Sequence, residues 1–172
     1  VEVNIRDDEG NRLAPGEDGE ICLRGPKITT GYWRDQEKTA AAFHPKGWFR
    51  SGAVGHLDED GFLFLTDRKK DMIISGGENI ASSEVERVVY QMEDVLEAAI
   101  IGLPDADWGE RVAAVVVPKP GAEIDHAAID AHCRAHLAGF KSPKELHILD
   151  KPPRNPSGKV LKRVLRERLG RV

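Results

Sequence analysis

The sequence predicts an α+β protein in two parts, and three observations carry that reading. Residues 1–66 alternate apolar and polar side chains in short runs broken by glycine- and aspartate-rich turns, the texture of strands and hairpins. From residue 72 onward, apolar stripes at helical spacing mix with β-branched runs, without the strict strand–helix–strand order of a parallel α/β fold. Between the two textures stand consecutive charges, Asp67-Arg68-Lys69-Lys70-Asp71. Such a run cannot lie in a core, while the apolar stretches Phe62-Leu63-Phe64-Leu65 and Met72-Ile73-Ile74 on either side are expected to be buried strands. The expected division is a β-rich part at 1–66, a solvated hinge-like link at 67–71 and a small α+β domain at 72–172.

The elements follow in order. Val1, Val3 and Ile5 alternate with polar residues, as in a half-buried strand, and 7–11 is a turn. A second strand spans 19–24 and ends at Gly25-Pro26. Asp35 is placed to cap a short helix over 36–43, with Glu37 in its first turn where the helix dipole favours a carboxylate. Two short strands are expected at 48–50 and 54–57, then a hairpin turn at 58–61 and a return at 62–65. These residues offer no closed core of their own and read as the end of a larger domain. Past the link, Ser83 and Glu86 have the spacing of a capping box. Val85, Val88, Val89 and Met92 then form one helical stripe. Buried strands are expected at 95–103 and 112–118, both rich in β-branched residues. A helix capped by Asp125 carries Ile129, Cys133 and Leu137 on one face and ends at Gly139. A strand at 146–149 and a closing helix at 160–169 complete the chain.

Composition bounds the function. With 172 residues, 31% charged and 40% apolar, the chain has the make-up of a soluble globular protein. A net charge of −4 argues against a general nucleic-acid binder. The basic stretch 162–171 is expected to be a solvated helix face. Cys22 and Cys133 have neither metal nor disulfide spacing, so a reducing compartment, the cytoplasm, is the default. No apolar run reaches membrane-spanning length, and no signal peptide is expected. The sequence opens on a strand without a methionine, as a piece of something longer would.

Two stretches suit chemistry. Ser75-Gly76-Gly77 leaves the backbone open to close approach, since no Cβ stands in the way. Lys159 follows the turn Pro156-Ser157-Gly158 just before a helix. A lysine there places a point charge on a long stem, suited to developing phosphoryl or carboxylate charge. A phosphate-binding loop of the G-x-x-x-x-G-K-[ST] kind is excluded, because Val160 follows Lys159 and no glycine lies five residues before Gly158.

Several motifs recur together: Gly31-Tyr32-Trp33, Gly47-Trp48-Phe49-Arg50-Ser51-Gly52, the charged link, Ser75-Gly76-Gly77-Glu78-Asn79, Trp108-Gly109-Glu110, Phe140-Lys141-Ser142-Pro143-Lys144, and Pro153-Arg154-Asn155-Pro156-Ser157-Gly158-Lys159. Each is weak alone. In this order and spacing the chain resembles the adenylate-forming superfamily along its whole length. The Gly-Gly-Glu-Asn form is similar to the acyl-CoA synthetase (fatty-acid or aryl-CoA ligase) branch. The resemblance implies the end of a large N-terminal adenylation domain followed by a small mobile C-terminal domain. It implies ATP, Mg2+, CoA and a carboxylic acid as reactants and cofactors, with the Mg2+ site and the phosphate loop upstream of Val1. A homo-oligomer is compatible with it. It also implies roles. Lys159 bridges the substrate carboxylate and the α-phosphate, Arg68 meets the nucleotide and Lys70 is the hinge. Gly76 and Gly77 line the pantetheine tunnel, and Trp108, Phe140 and Lys144 touch CoA. After adenylation the C-terminal domain swings so that its glycine-turn face serves thioester formation.

One position departs from the pattern. The family has Thr-Gly-Asp where this chain has Ser51-Gly52-Ala53, and that aspartate holds the ribose hydroxyls of ATP. Losing a charged hydrogen-bond partner costs about 1.5–3 kcal/mol, or about tenfold to a hundredfold in affinity. The alternatives left open are an ATP-impaired relative acting as a binding protein, and transfer to a carrier-protein thiol in place of CoA.

Overall fold

The computed structural model describes residues 1–170; Arg171, the last of the basic residues in the C-terminal stretch, lies outside them. The chain divides into two compact units, Val1–Lys70 and Asp71–Val172.

In the first unit, β1 (Glu2–Arg6), β2 (Gly19–Arg24), β3 (Phe43–His44), β4 (Trp48–Leu57) and β5 (Leu63–Arg68) form one antiparallel sheet. β2 and β5 both pair with β4. Helix α1 (Gln36–Ala41) starts at Asp35, whose side chain accepts from the Lys38 amide, as expected. It stops two residues short of the expected end, because Phe43 is drawn into β3 against Phe49. The small core is Ile5, Ile21, Cys22, Trp48 and Val54. The guanidinium groups of Arg6 and Arg24 lie over the Trp48 ring at 4.6 and 4.5 Å.

Three expectations for this unit are corrected. In β1 the buried neighbours are Asn4 and Ile5, and Val3 is exposed. The two strands expected at 48–50 and 54–57 are one strand, β4. Its pairing with β2 passes from Cys22↔Arg50 to Glu20↔Val54, so Ser51-Gly52-Ala53 faces a single residue and bulges. Finally, Phe62, Leu63, Phe64 and Leu65 are exposed, Leu65 by 73%, so this apolar run is not a buried strand within the described residues.

The second unit contains β6 (Ile73–Ser75), β7 (Glu78–Ile80), β8 (Val95–Asp105), β9 (Gly109–Pro118) and β10 (Glu145–Ile148) in one sheet. β8 pairs antiparallel along the whole of β9, β10 runs parallel to β9, and β6 joins at Ser75↔Gly109. Helices α2 (Ser82–Val89) and α3 (His126–His136) cover one face, over a core that includes Ile73, Val85, Val89, Ile100, Val116, Ile129 and Cys133. Helix α4 (Lys162–Leu169) covers the other, with Leu165 on Ile101, Leu103 and Val115. Because β8 and β9 are buried on both faces, their apolar runs are nearly continuous. Asp125 caps α3 through the Ala128 amide as expected. Gly139 does not end that helix; Leu137 is its C-cap and Gly139 opens a 3-10 turn, Gly139–Lys141. Ser83 lies inside α2, which begins at Ser82 with Ala81 as N-cap. The closing helix starts at Lys162, since Val160 is held in a bridge to Arg154.

Candidate functional site

In the first unit, Ser51, Gly52, Ala53, Arg68, Lys69 and Lys70 line an open cleft of about 680 Å³. Ala53 and Arg68 are cross-strand partners on β4 and β5. Gly52 has φ +72°, which turns the bulge outward. Beneath it lies the Glu20 carboxylate, 4% exposed. It accepts from the Gly52 amide at 3.2 Å, Arg50 Nε at 3.1 Å and Lys69 Nζ at 2.9 Å. Burial alone would raise its pKa, but the bonds from Lys69 and Arg50 outweigh burial and hold it below the usual carboxylate value. Lys69 also pairs with Asp8, and these two partners outweigh burial to raise its pKa.

The charged run is therefore less solvated than expected. Arg68 ends β5, Lys69 is half-buried, and Asp71 is buried with its Oδ1 accepting from Arg166 Nη2 at 2.9 Å. Arg68 and Lys70 stand exposed with no side-chain partner among the described residues.

In the second unit, the β6–β7 turn is made by Gly76 and Gly77, with φ +60° and +85°. Gly76 must be glycine on two counts. Its φ is left-handed, and a Cβ there would stand 2.6 Å from the Trp108 ring. The Gly76 amide donates to the Trp108 carbonyl at 2.9 Å, and the Trp108 amide donates to Asp105 Oδ1 at 3.0 Å. Glu110 fastens the same corner by accepting from the Ile74 amide at 2.8 Å. The Trp108 indole, 61% exposed, thus lies on a bare backbone turn. Phe140 is also exposed, and the Lys144 amide donates to Val112 O, three residues along β9 from Gly109. Gly76, Gly77 and Trp108 therefore share the Gly109 end of the sheet, Lys144 lies three residues along β9 from it, and Phe140 stands on the 3-10 turn whose Lys141 pairs with Glu84 of α2.

Lys159 is elsewhere. Its loop is a tight turn in which the Asn155 side chain accepts from the Lys159 amide at 2.9 Å and from Ser157 Oγ at 2.8 Å. Arg154 donates to Gly158 O and pairs with Glu97, which fixes the turn to the start of β8. The Lys159 side chain is exposed and has no partner among the described residues. Glu97 and Asp105 are eight residues apart on β8, about 26 Å of strand. The lysine turn and the glycine turn thus sit at opposite ends of one rigid unit. Among the described residues no cluster of His, Cys, Asp and Glu could hold a metal ion.

Comparison with known proteins bears on this arrangement. A family model described as the AMP-binding enzyme C-terminal domain matches residues 84–159. The match spans the lysine turn, β8, β9, α3 and most of α2, and α4 lies beyond it. Over 158 residues the chain is 46% identical to a 2-succinylbenzoate–CoA ligase of Geobacillus kaustophilus, covering 92% of this chain and 32% of that protein. It is 46% identical over 170 residues to a feruloyl-CoA synthase of Amycolatopsis, covering 99% of this chain and 34% of that protein. The crystal structure of ATP-bound MatB from Rhodopseudomonas palustris matches with a TM-score of 0.91 and 41% identity, over 99% of this chain and 34% of that one. The resemblance to adenylate-forming enzymes read from the motifs therefore holds along the chain, which spans about a third of the length of the relatives it matches.

Sequence reasoning assigned no structural role to the residues that hold the second unit and the β4 bulge in shape. They are Glu20, Asp71 with Arg166, Arg154 with Glu97, and Glu110. Each is a charged residue whose partner is remote in sequence. The one local signal was Glu20, a carboxylate in the otherwise apolar Ile21-Cys22 stretch of β2.

Proposed function

We propose that this chain is the C-terminal third of an ATP-dependent acyl- or aryl-CoA ligase. The observation that carries the reading is the placement of the lysine turn and the glycine–tryptophan turn at opposite ends of one unit. Two reactive surfaces about 26 Å apart along a strand cannot both serve one reaction centre in a single pose. They can serve two successive steps if the unit turns between them, which gives the charged link a purpose.

In the first step a carboxylate oxygen of the acid attacks the α-phosphorus of ATP and pyrophosphate leaves. Lys159, on a turn fastened by Asn155 and Arg154, supplies a positive charge to the phosphoryl and carboxylate oxygens as charge builds there. Arg68 meets the nucleotide from the wall of the cleft. In the second step the sulfur of CoA attacks the acyl carbon of the acyl-adenylate, and AMP leaves with the bonding electrons. The bare backbone at Gly76 and Gly77 allows a thin pantetheine arm to pass, while Trp108, Phe140 and Lys144 offer aromatic faces and a cation to CoA. Lys70 is the hinge between the two poses, and 1–66, 67–71 and 72–172 are the parts it separates. Mg2+ would accompany the ATP phosphates on residues upstream of this chain. The buried thiols of Cys22 and Cys133, both pushed up to about 11 by burial, suit a protein of the reducing cytoplasm.

Ala53 favours a second reading, an ATP-impaired relative that binds and does not catalyse. The full-length protein distinguishes the two. Exchange of radiolabelled pyrophosphate into ATP that depends on an added aryl or fatty acid supports the ligase. Acid binding with no exchange across a panel of such acids supports the binding protein. Release of AMP with CoA, compared with a phosphopantetheinyl carrier protein, identifies the acceptor.

A further inference from the structure

Arg154, Lys159, Lys162 and Arg163 are the cations of residues 154–163, and all but one are matched by carboxylates. Arg154 pairs with Glu97, and Arg163 with Glu167 within α4. Lys162 Nζ lies 2.7 Å from Glu86 Oε1 and donates to the buried Ser82 Oγ at 2.7 Å. The Lys159 ammonium has no partner among the described residues. Its backbone, in contrast, is held on both sides. The Lys159 amide donates to Asn155 Oδ1 at 2.9 Å, and its carbonyl accepts from the Asn155 amide at 2.9 Å. The pairs that flank this turn reach the same stretch of β8. Glu97 belongs to that strand, and the Glu86 carboxylate accepts from the Ile100 amide at 2.9 Å. Arg154 carries the grip into the turn, since it also donates to Gly158 O. Just past the lysine, Val160 packs on the core of Ala99 and Val115.

We propose that Glu97 and Glu86 are positioning residues for Lys159. The proposal rests on the ligase reading, in which Lys159 acts in adenylation. Each glutamate anchors one neighbouring cation to β8, Glu97 the arginine before the lysine and Glu86 the lysine after it. The backbone of the turn is thereby fixed, and one unmatched cation is presented from it. Both pairs are partly buried, so removing one partner strands a charge that a shift of the turn would have to solvate. A lysine side chain is a point charge on a flexible stem. It meets developing charge reproducibly only when its Cα stays in place, because reacting groups tolerate little displacement. The glycine–tryptophan turn at the other end of the sheet is fastened by Asp105 and Glu110 and shares neither pair.

Separate assays of the two half-reactions in the full-length enzyme test this. Glu97→Ala is expected to lower kcat for adenylation by about tenfold. KM for ATP and for the acid should be unchanged, the split that marks an interaction lost only in the transition state. Thioester formation from supplied acyl-adenylate should keep its rate, whereas a general loss of folding would lower both. Arg154→Ala should match or exceed this loss, because Gly158 O loses its donor as well. The double variant should be no slower than Arg154→Ala alone, since Glu97 acts through Arg154. Arg154→Lys, which can still pair with Glu97, should recover several-fold. Glu86→Gln and Lys162→Met should form a second cycle of the same kind. Melting curves check that each variant folds. A loss that multiplies in a double variant, or that falls equally on both half-reactions, overturns the role of that glutamate.

A readout without catalysis stands beside it. Amide hydrogen exchange followed by mass spectrometry should show Glu97→Ala speeding exchange in peptides over 155–161 several-fold. Peptides over 74–78 and 105–110 should be unchanged. Exchange in the lysine turn that ignores Glu97→Ala overturns the positioning role whatever the kinetics show. A normal adenylation rate in Lys159→Ala, with the exchange result intact, overturns the reading of Lys159 itself, and the positioning of its charge with it.

Discussion

Ala53 faces Arg68 across β4 and β5, at the wall of the cleft assigned to the nucleotide. Its methyl group can accept nothing from a ribose. In the full-length protein, Ala53→Asp is expected to tighten ATP by about tenfold to a hundredfold, with the affinity for the acid unchanged. Calorimetric titration of ATP into both forms checks it, and equal affinities would mean that the ribose is held elsewhere. Glu20 gives a second prediction at this scale. Its folded pKa lies below the ordinary 4.5. The stability contributed by its pairs with Lys69 and Arg50 is therefore complete above that value and is lost as pH falls through the folded pKa. Melting temperatures of wild type and Glu20→Gln should differ most at neutral pH and converge as pH falls through the depressed folded pKa; a constant difference would remove Glu20 from the acid response. Lys159, Arg68 and the glycines could be found from the sequence because their neighbours form recognisable local strings. Glu20 and Asp71 could not, because what defines them is a partner tens of residues away.

The elements of the second unit were largely legible. A stripe such as Val85, Val88, Val89 is set by local periodicity, and the double burial of β8 and β9 leaves an apolar run that reads as a strand in either direction. The first unit was harder. The bulge in β4 breaks its alternation, so one strand reads as two. Sequence cannot say that Phe62, Leu63, Phe64 and Leu65 stand at the surface, because apolar residues carry no record of what covers them. The β6–β7 turn makes an element-scale prediction. At Gly76 an alanine meets both a left-handed φ and the Trp108 ring. The variant Gly76→Ala should lose about 1–2 kcal/mol of stability, displace the indole and raise KM for CoA, while pyrophosphate exchange is kept. Tryptophan fluorescence and the two assays report it. Unchanged KM with a shifted indole would take Trp108 out of CoA binding.

At the scale of the molecule, one chain offers two surfaces at opposite ends of its second unit, joined to the first unit by an exposed lysine. The order of the motifs made the fold and the family legible. Their separation in space was not, since Trp108 and Lys159 could have met in many arrangements until β8 and β9 fixed their spacing. The most direct measurement assays the two half-reactions separately, in full-length enzyme, for Lys159→Ala and Trp108→Ala. Lys159→Ala should slow adenylation by about a hundredfold to a thousandfold, as losing one preorganised charge donor does. It should leave thioester formation from supplied acyl-adenylate nearly intact. Trp108→Ala should give the reverse pattern. Loss of the same half-reaction in both variants would contradict the assignment of the two ends to two steps.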